Sequence, residues 1–105
     1  MSRGEVRWYR FQKPDKRRPI VILARDSAID VLNEVTIAPI TSTIRRIPSE
    51  VVLTRTDGMP KECAINLDHI QTVSKSKIGA LIITLSPQKL EELRSACLFA
   101  LGFRW

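Results

Sequence analysis

The sequence predicts a mainly β protein, with several short strands forming a small barrel and one C-terminal α-helix packed against it. Three observations carry this reading. Short runs of apolar, aromatic and β-branched residues alternate with turn-forming residues along most of the chain. One run, Pro19 to Ala24 (PIVILA), is apolar without interruption, the pattern of a central strand covered on both faces. A helical period with a start signal occurs near the end, after Ser86-Pro87.

Taken in order, Glu5 to Phe11 is rich in aromatics and alternates poorly, as a strand does when one face is buried and the other is otherwise engaged. Gln12 to Arg17 is polar and reads as a loop before the central strand. Asp26 and Ser27 are placed to cap a single helical turn through Leu32, and Val35 to Ile40 reads as a third strand. Pro39 cannot donate a ladder hydrogen bond, which puts this end at an edge or a bulge. Thr41 to Pro48 is expected to be a long, mobile loop. Glu50 to Thr54 forms a short strand, and Asp57-Gly58 turns the chain through Pro60 into Cys63 to Leu67 and on to Val73. Ile78 to Leu85 closes the sheet. Ser86 is the N-cap of the helix with Pro87 at its first position, and Leu85 and Leu90 are spaced for a hydrophobic staple. Leu90, Leu93, Cys97 and Leu101 form the expected inner stripe, and Gly102 is placed to stop the helix.

At 105 residues the chain has room for one domain, residues 1–105, which excludes a multidomain enzyme. Hydrophobic residues make up 44% and charged ones 27%, with only 4 Gly and 6 Pro, so neither a disordered tail nor a repeat array fits. No apolar run approaches the roughly 20 residues that span a bilayer, and the N-terminus is polar and basic. The expectation is a soluble, cytoplasmic protein without a signal peptide, small enough to gain from an oligomeric partner. Cys63 and Cys97 lie in apolar stretches with no CxxC spacing and read as reduced, buried and structural.

The net charge of +6 is unevenly distributed. Between Arg3 and Arg25, eight Lys and Arg residues face only Glu5 and Asp15, so the first 25 residues hold the whole excess and the rest of the chain is neutral. Such a field gathers phosphates. Trp8, Tyr9 and Phe11 are interleaved with these cations and suit base stacking or cation–π contact, although aromatics in a strand also serve as plain core.

Several chemistries lack their residues. One histidine permits neither a two-histidine acid–base pair nor a multi-His metal site, and there is no Gly-rich phosphate loop and no HExxH. Asp26 and Asp30 could share a helical face toward Mg²⁺, but a cap and a solvated neighbour explain them better. No cofactor is expected.

The chain nonetheless resembles a known family along nearly its whole length. Gly4-Glu5-Val6 followed by Trp8, Arg18-Pro19 leading into Ile20 to Leu23, and Arg25-Asp26-Ser27 resemble the opening of the MazF/PemK/Kid toxins. The likeness continues in order through Val35 to Ser42, Arg45 to Pro48, Glu50-Val51, Asp57-Gly58, Asn66-Leu67-Asp68, Gln71-Thr72-Val73 and Leu85-Ser86-Pro87. It implies an SH3-like barrel of the CcdB/PemK type and a homodimeric, ribosome-independent endoribonuclease acting on single-stranded RNA. The family cleaves without metal, by attack of the ribose 2′-OH on the adjacent phosphate, leaving 2′,3′-cyclic phosphate and 5′-OH ends. The implied protein partner is an antitoxin that blocks the RNA groove with a disordered, acidic C-terminal segment.

The resemblance also implies a site. Arg18 occupies the family's Arg-Pro position, where a planar guanidinium grips two phosphate oxygens at once. Thr41 occupies a Thr/Ser position whose hydroxyl bonds the scissile phosphate, and Ser42 is its nearest substitute. Asp68 matches an acidic position of the Kid branch, suited to accepting a proton or orienting a base; as a plain turn residue it is equally well explained. Lys16, Arg17, Arg25, Arg45, Arg46 and Gln71 complete the expected RNA-binding surface. Gln71 departs from the family, where a basic residue is common, which implies a weaker phosphate grip or an altered target. His69 has the chemistry for proton transfer but falls on no motif position and is set aside. A rival reading is a non-catalytic, CcdB-like binding module such as a gyrase poison, since the chain ends in Phe103-Arg104-Trp105. Arg18 and Thr41 together favour the nuclease, and Trp105 is expected to pack on the barrel or at a dimer interface.

Overall fold

The computed structural model describes residues 1–11 and 16–103. The expected loop at Gln12 to Asp15, with Lys13, and the expected packing of Trp105 lie outside the described residues. Within them the chain forms β1 (Glu5–Arg10), β2 (Arg17–Ile22), β3 (Glu34–Thr41), β4 (Glu50–Leu53), β5 (Cys63–Asn66), β6 (Gln71–Ser74) and β7 (Ile78–Thr84). A short helix, α1 (Asp26–Ile29), follows β2, and a long one, α2 (Pro87–Ala100), ends the fold. The strands run in the order β4-β5-β3-β2-β1-β7, with β6 pairing β3 and every pairing antiparallel. This is the mainly β architecture with one C-terminal helix that the sequence predicts, its small barrel taking the form of a half-barrel sheet.

The unbroken apolar run earns its central position because both of its faces are covered. Val21 enters one core cluster with Val6, Ala38, Ile40, Leu53, Ile65 and Leu93, while Ile20 and Ile22 enter a second with Tyr9, Ile29, Val35, Ile37 and Val73. Residues of β2 and β3 thus supply both clusters, as the period-two alternation of a strand requires. Burying a side chain of this size stabilises the fold by about 1.5–3 kcal/mol.

Four sequence expectations are corrected. The second strand begins at Arg17 rather than Pro19, because β1 continues as its partner and pairs Tyr9 with Arg18 and Arg10 with Arg17. An available ladder outweighs the polarity of two arginines. Pro39 lies at no edge: β3 pairs β6 through Ile37 and β5 from Ile40, and the proline occupies the gap where the strand changes neighbours, so the lost donor interrupts neither ladder. Arg25, not Asp26 or Ser27, is the N-cap of α1, without a side-chain bond; Asp26 instead accepts the Arg3 backbone N–H at 2.8 Å. Leu101 is 58% exposed because α2 has already ended at Ala100, and Ala96 takes its place beside Leu93.

The start and stop of α2 follow the sequence. Ser86 accepts the Lys89 N–H at 3.2 Å, and Pro87 opens the helix. At the other end Gly102 adopts φ +82°, while its N–H reaches Phe99 O and the Phe103 N–H reaches Leu98 O, the paired bonds of a Schellman stop. Among the described residues no helix is long and apolar enough to cross a membrane.

Candidate active site

The β2–β3 ladder pairs Ile22 with Ile37, Val21 with Ala38 and Ile20 with Pro39. Continued in the same register beyond its last pair, it sets Arg18 opposite Thr41. Residues so opposed project from the same face of a sheet, so a cation and a hydroxyl from distant parts of the sequence share one open strand end. Arg18 is exposed and Thr41 half-buried. Thr41 Oγ1 accepts the Thr43 N–H at 3.1 Å, which uses a lone pair and leaves the hydroxyl proton free to donate. The turn and the site therefore use the same side chain without conflict. Thr41, expected to begin a loop, is the last residue of β3, so its backbone is held by the sheet.

Two clefts flank these strand ends. One, of about 560 Å³, is lined by Phe11, Lys16, Arg18, Thr41, Arg45, Asn66, His69 and Gln71, with Pro39 and Ile40. The other, of about 690 Å³, shares Lys16, Arg18, Ile40 and Thr41 and adds Trp8, Arg17, Ser42, Arg55 and Lys61 among its lining. Lys16, Arg17, Arg18, Arg45, Arg55 and Lys61 thus converge, and among the described residues no carboxylate lines either cleft. The ion pairs of the described residues, Arg7–Glu5, Lys89–Glu92 and Arg94–Glu91, all lie elsewhere. Such a surface suits a polyanion, because no carboxylate among the described residues lining it neutralises its field. The Arg17 guanidinium lies 5.2 Å from the centre of the Trp8 ring, a cation–π contact that leaves a flat, cationic platform.

The structure gathers Arg18, Thr41, Ser42, Lys16, Arg17, Arg45 and Gln71 as the sequence expects, but separates three others. Arg25 bonds Ser27 Oγ beside α1 and lines a different depression with Arg3 and Asn33. Arg46 is exposed and lines neither cleft, and Asp68 lines neither and accepts a bond from Ser49 Oγ. Conversely His69, set aside on motif grounds, is in the first cleft. Arg55, Lys61 and Asn66 were not anticipated; the available signal was that Arg55 and Lys61 flank the Asp57-Gly58 turn of a hairpin.

Neither cysteine is an activated nucleophile. Burial pushes the thiol of Cys63 up, with the Lys61 charge opposing only in part, and burial does the same to Cys97 against the charge of Arg3. No group of three or more His, Cys, Asp or Glu side chains converges among the described residues.

Comparison with known proteins gives the family of the chain. Residues 2–100 match the model of the family described as PemK-like, MazF-like toxin of type II toxin–antitoxin system. The chain is 46% identical over 97 residues to the probable endoribonuclease MazF5 of Mycobacterium tuberculosis, covering 91% of this chain and 85% of that protein. It is 34% identical over 93 residues to the probable endoribonuclease MazF2 of the same species, covering 88% and 89%. Among solved structures, the M. tuberculosis toxin MazF-mt6 superposes with a TM-score of 0.86 at 29% identity, over 96% of this chain and 99% of that one. A mycobacterial endoribonuclease solved in complex with its cognate antitoxin has the same fold, with a TM-score of 0.87 at 24% identity, over 100% and 98%. The chain belongs to the PemK-like, MazF-like family of type II toxin–antitoxin toxins, and its relatives place it among the endoribonucleases of that family.

Proposed function

We propose that this toxin cleaves single-stranded RNA in the cytoplasm, without ribosome or metal, by in-line attack of a ribose 2′-OH on its own 3′-phosphate. The 2′-oxygen gives its proton to solvent water and forms a bond to phosphorus, the bond to the 5′-oxygen breaks, and that oxygen takes up a proton from solvent, so the exchange balances. The products are a 2′,3′-cyclic phosphate and a 5′-OH. Because the nucleophile belongs to the substrate, the protein has to orient the phosphate and stabilise charge growing on its non-bridging oxygens. Arg18 grips two of those oxygens through its planar fork, and Thr41 donates its free hydroxyl proton to one of them. Lys16, Arg17, Arg45, Arg55 and Lys61 draw in the flanking backbone, and Trp8 and Phe11 offer faces for bases.

The observation that carries this reading is that Arg18 and Thr41 together line both clefts, at the centre of a cationic surface with no carboxylate among the described residues lining it. The same surface fits the acidic tail of an antitoxin, and the antitoxin complex of a mycobacterial relative supports such a partner. Exposed Phe99, Leu101 and Phe103 around the end of α2 support burial against a second copy in a homodimer.

The test is cleavage of a short RNA carrying one 2′-deoxyribose at the scissile position, in excess EDTA. The all-ribose strand should be cut with a cyclic phosphate end, and the substituted strand and the equivalent DNA should survive. Loss of cutting in EDTA, restored by Mg²⁺, would sink the mechanism. Poisoning of gyrase with no RNA cleavage would favour the binding-module alternative.

A further inference from the structure

Glu50 opens β4 opposite Asn66 of β5 and is only 9% exposed. Its Oε1 accepts the backbone N–H groups of Arg45 and Arg46 at 3.0 and 3.2 Å, and its own N–H donates to Ile47 O at 2.9 Å. Its Oε2 is buried with no hydrogen-bond partner among the described residues. Arg46 adopts φ +56°, the left-handed region that costs a residue with a Cβ and persists only where the surroundings enforce it. Successive N–H groups turned together by a left-handed residue make a concavity for an anion, and here a carboxylate of the same chain fills it. A carboxylate held so deep, with one oxygen unsatisfied, is expensive to bury, and its charge strengthens the two bonds it does make.

The acid lines neither cleft, so it has no access to a phosphate in either. The first residue it holds, Arg45, does line the cleft beside Arg18 and Thr41, whereas Arg46 does not. We propose that Glu50 is a positioning residue: its carboxylate, seated in the backbone concavity of Arg45 and Arg46, fixes the loop after β3 so that the Arg45 guanidinium faces the RNA. Resting on the proposed nuclease function, this assigns the buried acid a role in substrate binding exerted wholly through Arg45. The loop that composition alone reads as mobile is thereby pinned at its midpoint.

Two readouts separate the anchor from its consequence. The first needs no RNA: trypsin cuts after arginine, so the rate of nicking after Arg45 or Arg46 reports whether the loop is held. Glu50→Ala should be nicked about tenfold faster or more than the wild type under native conditions, with an unchanged circular dichroism spectrum. Glu50→Gln, which keeps the volume and one acceptor oxygen, should fall between them and serves if the alanine variant does not fold. The second readout is binding and steady-state cleavage of a short RNA by the toxin. Glu50→Ala and Arg45→Ala should each raise KM by about tenfold, with kcat within about twofold, and the double variant should be no worse than either alone.

Nicking of folded Glu50→Ala, or of Glu50→Gln in its place, at the wild-type rate would overturn the anchor, whatever the RNA assays give. Faster nicking with unchanged KM would overturn the link to RNA, as would additive losses in the double variant. If the wild type cut no RNA at all, the nuclease reading and the proposed role in substrate binding would both fall, while the trypsin result would still report on the loop.

Discussion

The Ser49 hydroxyl, 2% exposed, donates a 2.6 Å hydrogen bond to Oδ2 of Asp68. Around this contact the Leu67 N–H donates to Ser49 O, and the Asp68 N–H donates to Asn66 Oδ1, both at 2.9 Å. The carboxylate therefore clasps the start of β4 to the tight turn Leu67–His69 that leads into β6. Asp68→Asn should lower stability by about 1 kcal/mol, because the amide oxygen still accepts the Ser49 proton but without the charge that strengthens the bond, while the cleavage rate per folded molecule is retained. Chemical denaturation alongside single-turnover kinetics checks this. A large fall in rate with unchanged stability would return Asp68 to the reaction.

Arg18 and Thr41 are expected to behave as one unit. Arg18→Ala should cost about 3 kcal/mol of transition-state stabilisation, on the order of a hundredfold in rate, while RNA binding weakens much less because Lys16 and Arg17 remain. Thr41→Ala should also slow cleavage, and Thr41→Ser should restore most of it. The double variant should lose less than the sum of its parts, as groups acting on one phosphate do. Single-turnover cleavage of a short RNA measures all four.

The strands, the helix cap and the stop at Gly102 were legible because each rests on local chemistry: an apolar run, a Ser-Pro start, a glycine free to take positive φ. Family likeness pointed to Arg18 and Thr41, but how the two come to line shared clefts was not legible, since that depends on where β2 and β3 pair. The same limit hid Arg55 and Lys61, which reach the site only when the β4–β5 hairpin folds across it. It also misdirected the reading of Arg25, whose place in a basic run says nothing of its place beside α1. His69 and Asp68 are adjacent in sequence, yet one lines the cleft and the other closes a clasp, a difference set by the tight turn between β5 and β6.

Salt dependence should report how much of the cationic surface RNA contacts. Affinity for a noncleavable RNA is expected to fall steeply with salt, and replacing Lys16 and Arg17 together should flatten the slope by about 1–2. Replacing Arg55 and Lys61 should flatten it similarly if RNA crosses both clefts. Replacing Arg25, which lies apart, should leave it unchanged. Fluorescence anisotropy across a salt series distinguishes these outcomes.

Stability should depend on pH through Glu5. Burial pulls its pKa up, but the 2.8 Å bond from Arg7 Nε, a backbone bond from Ser2 and the nearby positive charges outweigh it and hold the carboxyl below its ordinary value. A depressed folded-state pKa stabilises the fold above the unfolded-state value, and that contribution is lost as pH falls through the folded one. Glu5→Gln should therefore be less stable than the wild type by about 0.5–1 kcal/mol at neutral pH, with the difference vanishing at acid pH. Urea denaturation across this range measures it.

The way β2 and β3 divide their side chains between two clusters bears on how the molecule comes apart. Neither cluster can dissolve without stripping these strands from the other, so unfolding is expected to be a single cooperative transition with no half-molded intermediate. Arg18 and Thr41 lie at the ends of those two strands. Their shared place in the clefts should therefore persist until the whole molecule melts, and RNA cleavage should vanish at the same temperature as the fold.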